Sequence, residues 1–273
     1  MYESYWHLTR RPFDGELDAG LYVPAAAADA ALLKLEYAVD SGKGVAVLAG
    51  PAGVGKTFLT HVLESRLRGR AGDFARVLYP RLDPAGLVQQ FCARLGLSFD
   101  EIDGRSLAAS IELFRWRVRE LGEETGQPVL VVDDAHLVEC PELWHCLRML
   151  LNVRDEPGCD FTLLLVGQPA LLGRLQSYPD LADRAGVRVA MPPLDAAGVE
   201  DYLRGRLAAA GVADGVFDVD GVEAVSDLSE GLPRRINQIA DLALLVGYAD
   251  RLPMIGREQA EDAAGELRGV SVG

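Results

Sequence analysis

Three stretches, VAVLA (45–49), VLVVD (129–133) and FTLLLVG (161–167), are apolar at nearly every position. A strand with one wet face alternates apolar and polar residues, so an unbroken apolar run is buried on both faces. Segments of helical spacing surround these runs: AAAADAALLKLEYAV (25–39), TFLTHVLESRL (57–67), DPAGLVQQFCARLGL (83–97) and SLAASIELFRWRVRELGEETG (106–126). Buried strands alternating with helices predict an α/β fold, a parallel sheet covered by helices. RVLYP (76–80) reads as a further strand, and GVRVAM (186–191) as the fifth. After PPL (192–194) only helical patterns remain, AAGVEDYLRGRLAAAG, VDGVEAVSDLSEGL and PRRINQIADLALLVGYA. The expected organisation is an aromatic and proline-rich arm over 1–24, an α/β domain over 25–194 and a small all-helical domain over 195–273.

The junction after the first apolar run narrows the chemistry. GPAGVGKT, residues 50–57, fills every position of G-x-x-x-x-G-K-[ST] between VAVLA and TFLTHVL. Gly50, Gly53 and Gly55 let the backbone turn back so that successive amides face one point, joined by Pro51, Ala52 and Val54. The helix that follows adds its positive end, which makes a concave anion site. Lys56 is expected to reach outer phosphates and the Thr57 hydroxyl to ligate Mg²⁺.

The acid pair Asp133-Asp134 ends the second apolar run. In a parallel sheet the carboxyl ends of strands face the ligand crevice. Asp133 is therefore expected to share Mg²⁺ with Thr57, and Asp134 to act as general base for an attacking water. Aspartate is one methylene shorter than the glutamate usual at such a position. Slow hydrolysis, or hydrolysis that waits for a neighbouring subunit, is the expected consequence.

Composition removes several classes. Of 273 residues, 49% are apolar and 25% charged, the balance of an ordinary globular chain rather than a disordered one. A formal net charge of −14 repels nucleic acid and anionic membrane in general. Cysteines 92, 140, 146 and 159 lack CxxC spacing, so reduced thiols are favoured over a zinc site from Cys140, His145 and Cys146. MYESYWHLTRRPF has no apolar core and is no signal peptide, and IADLALLVGYA (239–249) is too short to span a bilayer. The chain reads as soluble and cytoplasmic.

Further motifs run along the chain. The arm carries Tyr2, Trp6, Leu8, Pro12, Phe13, Leu21 and Tyr22, and Tyr37-Ala38-Val39 closes the helical pattern before the first strand. Val166-Gly167-Gln168-Pro169-Ala170-Leu171 follows the third apolar run. Pro193-Leu194, Arg206-Leu207-Ala208-Ala209-Ala210-Gly211 and Gly231-Leu232-Pro233-Arg234-Arg235-Ile236-Asn237 punctuate the helical part. In these motifs the chain resembles AAA+ ATPases, and more narrowly the ExeA/GspA family of general secretion pathway ATPases, from about residue 2 to about 250.

The resemblance implies ATP/ADP and Mg²⁺ as cofactors, and Gly50 to Phe58, Tyr22, Pro233 and Arg234 as nucleotide contacts. It also implies Gln168 as a polar sensor of the γ-phosphate and Arg234 as an arginine reaching back from the helical lid. Arg184 is the candidate finger acting in trans on a neighbour's nucleotide, with Arg188 next in line. A homo-oligomer joined through nucleotide is implied, as is a protein partner in a secretion or pilus apparatus, peripheral to the inner membrane. The chain departs from the family where it carries Ala27 and Ala30 in place of a histidine and a glutamate. Tyr22, Val23 and Pro24 are left as the apolar slot for the base. Ending at Gly273, it is expected to be a stand-alone cytosolic protein or a truncated one, without the family's usual membrane span and periplasmic part. Two rivals remain: a DNA-binding transposition helper of TniB or IstB type, and an ATP-occupancy switch that barely hydrolyses.

Overall fold

The computed structural model describes residues 1–15, 17–77, 82–212 and 215–269. Its elements in chain order begin with α1 (Ala26–Asp40), β1 (Val45–Ala49), α2 (Lys56–Arg66), β2 (Phe74–Val77) and α3 (Pro84–Arg94). They continue with α4 (Phe99–Ile102), α5 (Leu107–Glu124), β3 (Val129–Val132), α6 (Pro141–Val153), β4 (Thr162–Gly167), α7 (Ala170–Gln176), α8 (Pro179–Ala182) and β5 (Ala185–Ala190). α9 (Ala196–Ala209), α10 (Val219–Ser229), α11 (Pro233–Ala249) and α12 (Arg257–Leu267) complete the chain. Of the expected strand RVLYP, only Arg76 and Val77 fall within β2, and residues 78–80 lie outside the described ones.

The chain divides into two compact units: residues 30–51 with 62–191, and residues 1–29 with 52–61 and 192–273. The first is the α/β fold expected. Its five parallel strands run in the order β2-β3-β4-β1-β5. Every residue of β1, β3 and β4 is buried, as their unbroken apolar runs require. β5 is an edge strand and reads differently, with Val187 and Val189 buried and Gly186, Arg188 and Ala190 exposed. The core gathers Phe91, Phe114, Phe161, Trp144 and the strand valines and leucines. Phe114 meets Phe161 edge to face at 5.5 Å between centroids, a favoured aromatic geometry.

The long helix α6 of this unit is absent from the sequence reading, as are the short α4, α7 and α8. α6 buries Leu143, Trp144, Cys146, Leu147, Leu150 and Leu151 on one stripe, opened by Pro141 in its first turn. Its signal in sequence is Pro141 at the start and the i, i+3, i+4 spacing of the buried residues.

The second unit is helical, with α9 to α12 built around Val199, Leu203, Ile236, Ala240, Leu244 and Ile255. α12, REQAEDAAGEL, lay beyond the patterns read from sequence; its buried stripe is only alanine and glycine, too weakly apolar to stand out. Tyr2, Trp6, Leu8 and Phe13 of the N-terminal arm are buried in the same core. Trp6 donates its Nε1–H to the Leu244 carbonyl at 2.9 Å, and the buried guanidinium of Arg206 donates to the Pro12 and Asp14 carbonyls. Helices α9 and α10 each start on Asp-x-x-Gly, where Asp195 and Asp218 accept from the amides of Gly198 and Gly221 at 2.8 and 2.7 Å. In the sheet unit, α3 starts the same way on Asp83 and Gly86, at 2.7 Å. A Cβ at Gly198 would lie 3.0 Å from the Asp195 carboxylate, so glycine there lets the short aspartate act as cap.

Candidate active site

The phosphate-loop residues 52–61 cluster with the helical unit. Gly53 and Gly55 have φ of +80° and +96°, a region that side-chain-bearing residues avoid. Nothing lies within 4 Å of a Cβ built at Gly55, so the space over that glycine is open. α2 begins at Lys56, and its first ladder bond runs from the Leu59 amide to the Gly55 carbonyl at 2.8 Å. The amides of Lys56, Thr57 and Phe58 therefore precede the helix's own ladder, which is the arrangement that receives an anion. Lys56 is only 8% exposed and Val54 3%. A left-handed glycine pair, early amides and a lysine at the helix start fit a polyphosphate.

The same unit brings three further expected residues to this loop. The Arg234 amide, in the first turn of α11, donates to the Gly53 carbonyl at 3.1 Å. A Cβ at Gly53 would lie 3.1 Å from the Arg234 Cβ, so the contact is close on both sides. Pro233 fills the first position of α11, where its missing N–H is no loss. Tyr22 lies over Phe58 with ring centroids 6.4 Å apart and planes 26° from parallel, and its Oη–H donates to Asp29 at 2.9 Å. Neither the Tyr22–Phe58 pair nor the Asp29 bond is visible in sequence, since 36 positions of chain separate the rings. Arg235 is bound differently from Arg234, by an ion pair to Glu230 at 2.6 Å.

In the sheet unit, the Gly50 amide donates to the Gly167 carbonyl at 3.1 Å, joining the end of β1 to the end of β4. Gln168 is the next residue after β4 and is half-buried. Asp133 extends the β3 ladder, its amide donating to the Val77 carbonyl at 3.0 Å, and its side chain is buried at 5% residue exposure. Its Oδ1 accepts the Asp134 amide at 2.9 Å. Asp134 adopts a left-handed conformation, φ 48° and ψ 34°, and its side chain is 55% exposed. So one acid of the pair is held inward and the other turned out, from a single backbone kink. A buried carboxylate and a threonine hydroxyl are hard oxygen donors and suit Mg²⁺ in kind.

The candidate finger residues stand on and beside the edge strand. Arg184 donates to Asn152 Oδ1 at 3.1 Å and Arg188 to the Ala182 carbonyl at 2.7 Å, both exposed. Around Cys140 and Cys146, Cys140 Sγ donates to Glu142 at 2.9 Å, and burial pushes the Cys146 thiol up to about 11. Among the described residues no group of three or more His, Cys, Asp or Glu is placed to hold a metal ion. No helix among them is long and apolar enough to cross a membrane.

Residues 39–175, about half the chain and spanning β1 to the sixth residue of α7, match the model of a protein family described as the AAA domain. The chain belongs to the AAA domain family. Along 99% of its length this AAA protein is also 29% identical to General secretion pathway protein A of Aeromonas hydrophila, of which it spans about half, 49%. The likeness expected from the aromatic arm, VGQP and GLPRRIN is thus found by direct comparison. In structure the AAA chain is similar to the ORC2 protein of Aeropyrum pernix, solved in ADPNP-ADP complexes: TM-score 0.73, 19% identity, 97% of this chain and 73% of that one. Cdc6p of Pyrobaculum aerophilum gives a TM-score of 0.74 at 17% identity, over 96% of this chain and 71% of that one. At such identities the likeness is one of fold, that of an AAA+ P-loop NTPase with a five-stranded parallel sheet and a helical C-terminal region.

Proposed function

We propose that the chain binds ATP with Mg²⁺ and hydrolyses it, as an AAA+ ATPase that assembles or remodels a partner complex. The observation that carries this reading is the loop itself: two left-handed glycines, amides ahead of the α2 ladder and a buried lysine at the helix start. That the ORC2 neighbour was solved in ADPNP-ADP complexes supports an adenine nucleotide as ligand.

In this reading Gly50 to Phe58 cradle the phosphates, Lys56 neutralises the outer ones, and Tyr22 with Phe58 takes the base. Thr57 and Asp133 hold Mg²⁺, which when bound neutralises charge on the outer phosphates. Asp134, turned outward, accepts a proton from the attacking water as its oxygen bonds the γ-phosphorus and the bond to the β–γ bridging oxygen breaks. The products are ADP and inorganic phosphate. Gln168 orients the water or contacts the γ-phosphate. Arg234, already bonded through its backbone to Gly53, senses whether that phosphate is present. Arg184, ahead of Arg188, reaches a neighbour's nucleotide in a homo-oligomer. The functional division is an arm over 1–24, an AAA+ domain over 25–194 and a lid over 195–273.

The name of the Aeromonas relative supports a partner in a secretion or pilus apparatus, and a site of action at the inner membrane through that partner. A DNA-loading role is the weaker reading, because a chain of net charge −14 repels a phosphate backbone.

Titration of ATP and ADP into wild type and Lys56→Ala tests the core of this reading. Removing a buried charge from its partner is expected to weaken affinity by about 2 kcal/mol or more, roughly thirtyfold, and to abolish turnover. Equal affinity and turnover in the two proteins refute the reading.

A further inference from the structure

His136 Nδ1 is buried and has no hydrogen-bond partner among the described residues, in a side chain only 9% exposed. A buried polar atom without a partner is unfavourable by about 1–3 kcal/mol, so its retention asks for a reason. A carboxylate stands close by: Asp134 Oδ1 lies 3.8 Å from Nδ1. The approach has a local cause. Asp134 turns the chain left-handed, the short 3-10 turn Ala135–Leu137 follows, and the side chain of residue 136 is thereby brought back to that of residue 134.

On its other side the ring is fixed by the end of β4. A Cβ on Gly167 would lie 3.1 Å from the His136 amide nitrogen and 3.2 Å from Nδ1, so a larger residue here would crowd the imidazole. Gly167 is also the residue whose carbonyl receives the Gly50 amide, and it immediately precedes Gln168. The ring is thus wedged between the acid loop and the strand end. Asp134, with its side chain 55% exposed, is the partner free to move, and rotation about its side-chain torsions closes 3.8 Å to hydrogen-bond distance.

We propose that His136 is a positioning residue: its Nδ1–H donates to the Asp134 carboxylate and holds that base toward the attacking water. This rests on Asp134 being the base, as proposed above. A base oriented by a third group is the arrangement hydrolytic sites use generally. Here it offsets the short reach of aspartate by removing its rotational freedom.

The test combines kinetics with a measurement on nucleotide-free protein. In Asn the side-chain amide nitrogen occupies the place of Nδ1, so His136→Asn keeps the donor while His136→Leu removes it. With saturating Mg-ATP, His136→Leu is expected to lower kcat about tenfold or more at unchanged KM. His136→Asn is expected to stay within about threefold of wild type, and His136→Leu to add no further loss in an Asp134→Ala background. Long-range ¹H–¹⁵N spectra of the four histidines, assigned through His136→Asn, are expected to show His136 protonated at Nδ1 and its signal displaced by Asp134→Ala. The inference is overturned if His136→Leu leaves kcat intact, if His136→Asn is as slow as His136→Leu, or if the His136 signal ignores Asp134→Ala. Should Asp134→Ala abolish turnover while His136→Leu does not change it, the inference alone falls. Should Asp134→Ala turn over at the wild-type rate, the base assignment falls and the inference with it.

Discussion

Gly231 is the position where one methyl group does the most harm. It sits between α10 and α11 with φ +67°, and its carbonyl accepts the Leu194 amide at 2.9 Å. A Cβ built there lies 1.9 Å from the Leu194 carbonyl oxygen and 2.9 Å from its carbon. Those are backbone atoms, so no rotamer change relieves the overlap; the two chain segments must separate and their hydrogen bond open. Forcing alanine into the left-handed region is unfavourable by about 1–2 kcal/mol. The overlap and the opened bond add about 2–3 kcal/mol. Together Gly231→Ala is expected to destabilise by about 3–5 kcal/mol, a fall in Tm of roughly 5–9 °C. Gly173, inside α7, is the matched control: nothing lies within 4 Å of a Cβ there, and Gly173→Ala is expected to stabilise by about 0.5–1 kcal/mol. The two substitutions are chemically identical, so thermal unfolding followed by circular dichroism isolates the site. If Gly231→Ala melts with Gly173→Ala, the apposition of Gly231 and Leu194 is wrong, and so is the account of how α11 is set to present Arg234.

The arm gives a second stability test: Trp6 is 5% exposed and bonded to Leu244, so Trp6→Ala is expected to be destabilising by about 3–5 kcal/mol in denaturant unfolding. Trp6→Phe, which keeps an aromatic ring but loses the pyrrole part and its N–H donor, is expected to be destabilising by about 1–2 kcal/mol; a Trp6→Phe protein as stable as wild type would refute a buried hydrogen bond. Thiol chemistry is the third. Burial pushes the Cys92 thiol up to about 12 and the Cys146 thiol up to about 11, so at pH 8 both are protonated and inert. In the native protein a disulfide reagent is expected to modify Cys140, which is half-buried, well before Cys92, Cys146 and the buried Cys159. All four reacting together without denaturant would contradict that burial.

What could be read before folding was whatever depends on neighbours in the chain. VAVLA, VLVVD and FTLLLVG declared buried parallel strands, because a strand covered on both faces has no polar position to show. GPAGVGKT declared an anion cradle, because positive φ is a local demand that glycine alone meets easily. Asp83, Asp195 and Asp218 cap helices by bonds three residues long, a local demand of a different kind. The GLPRRIN motif was legible as a pattern but not as physics: its glycine is explained only by Leu194, 37 positions earlier in the chain.

Tertiary structure decided the rest. The strand order β2-β3-β4-β1-β5 follows from crossover connections that no run of residues encodes by itself. The arm's Trp6 joins a core more than 190 positions downstream, and Tyr22 meets Phe58 across the whole of α1 and β1. In sequence His136 is a single histidine after the acid pair; the fold sets Gly167 against its ring and brings Nδ1 to 3.8 Å from Asp134 Oδ1. Periodicity, turns and caps are set by contacts within a few residues. Which surfaces meet is set by burial across the whole chain, and that is where one acid of the pair, Asp133, came to be buried and the other, Asp134, exposed.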